Sequence, residues 1–151
     1  MTSAQINVNQ RILPTIAKSS WIPSSKEIEA LSSRQHLNQM YRVDQIWPWL
    51  SENYPEVIAL DAPHAFHPET FTYKDVAELV QIAANAFTGL GLEEGDVVAL
   101  FGENSPRWLI VDQGLMRVGA SDAVRGASAP GEELHYILND SQSIALIVQN
   151  F

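Results

Sequence analysis

Two uninterrupted apolar runs, Val97-Val98-Ala99-Leu100-Phe101 and Ile144-Ala145-Leu146-Ile147-Val148, constrain this chain more than any other feature. Successive side chains of a strand point to opposite faces, so a strand that is apolar throughout needs cover on both, the usual state in a parallel sheet. Parallel neighbours need long crossovers, normally helices. The flanking segments supply them. Val76, Leu79, Val80, Ala83, Ala84, Phe87 and Leu90 form one stripe at helical spacing. Thr72 and Asp75 stand at capping-box spacing before it, and Gly91 is placed to stop it in the left-handed conformation. A second helix is predicted from Ser105-Pro106, an N-cap followed by a residue suited to the first helical position, through Trp108, Leu109, Val111, Leu115 and Met116 to Gly119. A short strand at Ser121–Val124, a helix over Glu132–Leu138 and a strand over Ser143–Val148 complete the alternation. The fold class is therefore α/β, a partial doubly wound sheet with right-handed crossovers.

Upstream of this unit the pattern is weaker. Residues 1–43 are read as a weakly ordered lead-in with one short helix near Lys26–Met40, because Pro14, Pro23 and three Ser pairs interrupt any period. Ile46, Trp49, Leu50 and Tyr54 then recur at helical spacing. Val57–Leu60 and Thr70–Thr72 read as two short strands, a hairpin closed by a nine-residue loop over Asp61–Glu69.

The 151 residues suit one ordinary domain or part of a larger one. With no cysteine, disulfides, thiolate zinc sites and cysteine nucleophiles are excluded. Nine Lys and Arg against eighteen Asp and Glu give a net charge of −9, which argues against nucleic-acid binding. Residues 1–43 carry five basic and two acidic side chains, against four and sixteen in the rest. The basic ones are spaced rather than clustered, which favours a solvated leader over an arm for a membrane surface. Met1–Gln10 has neither the basic start nor the apolar stretch of a secretory signal, while the Ser-containing, acid-free residues 1–26 leave a transit peptide open.

No self-sufficient active site is legible. Neither phosphate-loop pattern occurs: Gly89-Leu90-Gly91 runs into Leu92-Glu93-Glu94, which would set carboxylates beside an anion. Gly102-Glu103-Asn104-Ser105-Pro106 forms a strand-to-helix corner whose free amides could hold an anion, but Glu103 opposes one. His64 and His67 flank a proline-bounded loop without a third ligand, His36 and His135 are isolated, and all four are read as non-ligands. GxSxG is absent. Glu93-Glu94 and Glu132-Glu133 suit a turn and a helix start, and Trp21, Trp47, Trp49 and Trp108 are read as packing residues. Catalytic, cofactor-binding and metal-ligating residues are accordingly assigned as none.

Four stretches in register resemble the opening of the large N-terminal domain of adenylate-forming (AMP-binding) enzymes, a superfamily that includes acyl-CoA synthetases. Thr70-Phe71-Thr72-Tyr73-Lys74-Asp75-Val76 is similar to "TY-x-E-L", Gly91–Leu100 to "GV-x-x-GD-x-VA", Asn104-Ser105-Pro106-Arg107-Trp108 to "NSPEW", and Glu132–Ser141 to "EEL-x-YIL-x-DS". The likeness extends upstream to about residue 44, so residues 44–151 are read as an incomplete N-terminal part of that domain. Asp122-Ala123-Val124-Arg125-Gly126 resembles the long-chain fatty-acid–acyl-carrier-protein synthetase branch of cyanobacteria and plastids.

The resemblance implies a ligase using ATP and Mg²⁺ to activate a fatty acid as acyl-adenylate and transfer it to a thiol of acyl carrier protein or CoA. It implies a cytoplasmic or peripheral-membrane location, with a plastid open. The family's phosphate loop and catalytic lysine lie beyond the last matching strand. This segment is therefore expected to bind no ATP, to be inactive alone and to rely on the remainder of its own domain. Arg125 is expected to pair with Asp122 or to serve a pocket, the structural role being favoured. A complete, non-enzymatic α/β binding module and an enzyme adenylating another carboxylic acid stay open.

Overall fold

The computed structural model describes residues 40–65 and 68–149. Most of the lead-in, with its short helix, lies outside them, as do His36, His67 and Trp21. A 3-10 turn at Val43–Gln45 feeds helix α1, Ile46–Asn53. Pro48 is tolerated there because the amide it lacks has no intrahelical partner in the first turn. Strands β1 (Ile58–Ala62) and β2 (Glu69–Thr72) pair antiparallel as the expected hairpin. Its loop is shorter than the predicted nine residues. Asp61 pairs with Thr70 and Ala62 with Glu69, and the Thr70 hydroxyl donates to Asp61 Oδ1 at 2.9 Å. That bond lets an aspartate, read from sequence as a turn former, stay in the ladder.

Helix α2, Tyr73–Gly89, starts on the predicted capping box. The Asp75 amide donates to Thr72 Oγ1 at 3.2 Å, and the Thr72 amide donates to Asp75 Oδ2 at 2.9 Å. Those bonds from Thr72 hold the Asp75 carboxyl below the usual range. Past the end of α2, Gly91 has φ +92°, the left-handed geometry expected of it.

Strand β3 (Val97–Phe101) leads through α3 (Pro106–Val118) to β4 (Ser121–Arg125), and β4 leads through α4 (Gly131–Asp140) to β5 (Ala145–Val148). The three strands are parallel in the order β4-β3-β5. The first crossover steps one way and the second steps back over β3. If both are right-handed, α3 and α4 lie on opposite faces of the sheet. The register agrees. Val98 aligns with Asp122 and Ala145 on the α3 face, whereas Phe101 aligns with Arg125 and Val148 on the α4 face. The core on the α3 side joins Val98, Leu115 and Ala120, with Phe87, Val111, Ala145 and Ile147 packed against them. Helices α2 and α3 approach closely at Gly114, where a Cβ would sit 2.7 Å from that of Ala83.

Strand β5 departs from the buried pattern predicted for it. Ala145 and Ile147 turn inward, but Leu146 is 46% and Val148 58% exposed. Strand β5 is an edge of the sheet, whereas the register partners of Leu146 and Val148 on central β3, Ala99 and Phe101, are buried.

Candidate functional site at the carboxyl ends of the strands

In an open α/β sheet ligands bind beyond the carboxyl ends of the strands, where the winding direction reverses. Here that point is β3, and a cleft of about 480 Å³ lies there. Its wall is mostly apolar: Leu100, Phe101, Trp108, Val111, Ile147 and Val148. The corner Gly102–Pro106 forms one rim, Gln149 another, and Ala65 and Glu69 of the hairpin a third.

Two amides of the corner and one in the first turn of α3 are committed. Gly102 N donates to the Arg125 carbonyl at 3.0 Å, Glu103 N to Gln149 Oε1 at 2.8 Å, and Trp108 N to the Ser105 hydroxyl at 3.1 Å. The cation on the rim, Arg107, pairs with Glu69 at 3.0 Å while remaining 79% exposed. An exposed pair of this kind contributes about 0–1 kcal/mol, so it fastens the hairpin loosely. With the Glu69 and Glu103 carboxylates at the rim, the cleft suits an apolar occupant better than a polyanion.

The other residues weighed from sequence have structural placements. Glu93 N donates to Asp96 Oδ2 at 2.8 Å within a turn. Trp47 lies 6.3 Å from the Tyr73 ring, and Trp49 lies 5.9 Å from that of Tyr54. His64 is exposed on the hairpin loop, and His135 contacts Asn139 on the surface of α4. Among the described residues no group of three or more His, Cys, Asp and Glu could hold a metal.

Arg125 corrects one expectation. It pairs with Glu133, not Asp122, at 2.7 Å. The two residues stand three apart on β4, hence on opposite faces, and α4 brings Glu133 to the face that Arg125 occupies. The bond raises the Arg125 pKa and lowers that of Glu133.

Asp122 instead meets Asp112 of α3. Burial first, then the hydrogen bond to Asp112 and its charge, push the Asp122 carboxyl up to about 6. Gln113 donates to Asp112 Oδ2 at 2.6 Å and accepts from Trp47 Nε1 at 2.7 Å. Sequence reasoning missed this cluster. Its one signal was a polar pair, Asp112-Gln113, interrupting a mainly apolar helix.

The comparisons agree with the fold. The model of the family described as "AMP-binding enzyme" matches residues 48–150. A long-chain-fatty-acid–[acyl-carrier-protein] ligase of Arabidopsis thaliana, chloroplastic AEE15, is 35% identical over 132 residues, covering 85% of this chain and 18% of that protein. A crotonobetaine/carnitine–CoA ligase of Proteus mirabilis is 34% identical over 111 residues, covering 73% of this chain and 20% of that protein. The N-terminal domain of FACL13 from Mycobacterium tuberculosis superimposes with a TM-score of 0.67 at 26% identity, covering 72% of this chain and 27% of that one. This chain thus spans a fifth or less of the length of these curated relatives. Four sequence stretches in register, a parallel α/β sheet with a switch point and a family match over residues 48–150 converge: the chain belongs to the AMP-binding enzyme family.

Proposed function

We propose that this chain forms the opening of the N-terminal domain of an ATP-dependent ligase that activates a long-chain fatty acid as acyl-adenylate. The ligase then transfers the acyl group to a thiol, that of acyl carrier protein or CoA. The observation that carries the reading is Asp122-x-Val124-Arg125-Gly126, the stretch that resembles the acyl-carrier-protein branch, joined to the likeness over 85% of the chain to a ligase of that name. The apolar cleft at the switch point is consistent with an enzyme that handles an acyl chain, each buried CH₂ contributing roughly 0.8 kcal/mol.

Membership of the family implies ATP use, yet the residues described here do not fit a triphosphate. Glu69 and Glu103 stand at the cleft rim, and Arg107 is already paired. Hence no step of adenylate formation is derived on this chain. Charge growing on the α-phosphate needs positive groups, and these belong to further polypeptide of the ligase, as do any Mg²⁺ ligands. The exposed face of β5 is where that remainder of the domain would pack. By this reading 1–43 is a leader to residues 44–151, and the ligase works in the cytoplasm, at a membrane surface or in a plastid. No helix among the described residues is long and apolar enough to cross a membrane.

The test is competition among carboxylates in a pyrophosphate-release assay on the full-length ligase. Long-chain fatty acids should be preferred, with release coupled to an acyl-carrier or CoA thiol. Preference for carnitine-type, aromatic or amino acids would overturn the substrate. Titrating the 151-residue chain with ATP by calorimetry should show no saturable binding, and a one-to-one isotherm would overturn its assignment as scaffold.

A further inference from the structure

We propose that helix α1, with the 3-10 turn before it, is a strap that opens from the α2–α3 pair and closes on it as one unit while the sheet stays folded, and that Trp47 bolts it shut through Gln113. The first ground is burial. Helix α1 has eight residues, a length that is marginal without packing, and no residue of it or of the 3-10 turn is buried. Helix α2 buries Val76, Val80 and Ala84, and α3 buries Leu115. The strap therefore draws less from packing than either helix beneath it.

The second ground is where its attachments lie. Behind the strap the chain is pinned by backbone bonds: Tyr73 N donates to the Val57 carbonyl at 2.9 Å and Lys74 N to that of Pro55 at 3.3 Å. These bonds make the link after Tyr54 the fixed end. No backbone-to-backbone bond joins residues 43–53 to α2, α3 or either sheet. Side chains fasten that stretch instead. The Trp47 indole Nε1 donates to Gln113 Oε1 at 2.7 Å across 66 residues, and its ring lies 6.3 Å from that of Tyr73 at the head of α2. At the free end Arg117 of α3 reaches the Asp44 carbonyl at 3.4 Å and its carboxylate at 4.0 Å, both longer than a good hydrogen bond.

The polar pair that interrupts α3 aims the bolt. Gln113 Nε2 donates to Asp112 Oδ2 at 2.6 Å, and with the amide nitrogen committed there the amide oxygen faces Trp47. Asp112 and Gln113 are each 8% exposed, so the closed state needs a protein donor for that oxygen, which the indole supplies. Once the strap lifts, water can bond both the indole and the amide. Opening then costs about the net worth of one hydrogen bond and a ring contact, not a core. The chain ahead of residue 43 joins the strap at its free end, so a pull on it meets the bolt before the sheet.

Native-state hydrogen exchange of the 151-residue chain, in urea below the unfolding transition, tests this. Amides of residues 50–54, where Tyr54 N bonds the Leu50 carbonyl, should exchange at least about tenfold faster than those of β3 and with a weaker dependence on urea. Equal rates and equal urea dependence would overturn the strap. Trp47→Phe keeps a ring beside Tyr73 and removes the N–H. It should speed exchange at residues 50–54 by about 2- to 10-fold and leave β3 unchanged. No change at residues 50–54 would overturn the bolt, and an equal change in β3 would overturn the separate opening. Failure of the variant to fold would do the same, since the sheet is to survive without the bolt, and the urea series on the native chain stands apart from the variant.

Discussion

Strands β3 and β5 carry nearly the same sequence signal, five apolar residues in a row, and occupy different environments. In β3, Val98, Ala99, Leu100 and Phe101 are all buried, between neighbours on both edges and helices on both faces. In β5 only alternate residues turn inward, and Leu146 and Val148 stay about half-exposed. An apolar run thus specifies that a strand is to be covered on both faces. What does the covering is set by topology: the central place of β3 buries Ala99 and Phe101, while the edge place of β5 leaves their register partners Leu146 and Val148 half-exposed.

The comparison is broken most directly at Leu100, 3% exposed. Leu100→Ala removes a side chain from the central strand and leaves a cavity, and should cost about 2–5 kcal/mol in urea unfolding. A cost under about 1 kcal/mol would mean that β3 is no better covered than β5. Next in size is Gly114→Ala, which probes the helix pair behind the α3 face. Its Cβ would stand 2.7 Å from that of Ala83 and 3.2 Å from Phe87, so α2 and α3 must separate. Overpacking of this kind costs typically about 1–3 kcal/mol, read by the same titration.

The central unit was legible because its signals are local. The Thr72–Asp75 box, Ser105-Pro106, Gly91 and Gly119 each satisfy or end a helix by their own chemistry, and the structure uses all four as read. What sequence could not give depends on partners brought together by the winding of the chain. For Arg125 the sequence offers Asp122 or a pocket, whereas alternation turns Asp122 away and crossover α4 delivers Glu133. The cleft escaped for the same reason. Gln149 closes over Glu103 across 46 residues, a contact that no local spacing encodes. The hairpin loop was overestimated because Asp61 and Glu69 look like turn residues until cross-strand pairing is known.

A smaller effect tests how the cover over β3 is held in place. Helix α2 begins at Thr72, whose hydroxyl accepts from the Asp75 amide. Thr72→Ala leaves that amide without its protein partner and should lower stability by about 1 kcal/mol, seen as a shift in the urea midpoint with unchanged slope. A changed slope would show that the cap governs more of the fold than the first turn of α2.

The smallest change in stability, and the sharpest test of the contrast, belongs to Leu146. It is the same residue type as Leu100, in a run of the same length, but its side chain is already about half in water. Leu146→Thr keeps a branched, strand-favouring side chain while removing most of the exposed apolar area. Unfolding free energy should therefore change by no more than about 0.5 kcal/mol. An exposed apolar edge strand templates association, so light scattering and hydrophobic-dye binding should both fall. If the variant instead destabilises the chain as Leu100→Ala does, Leu146 is covered in solution. The difference between the two strands would then be one of sequence position alone, not of environment.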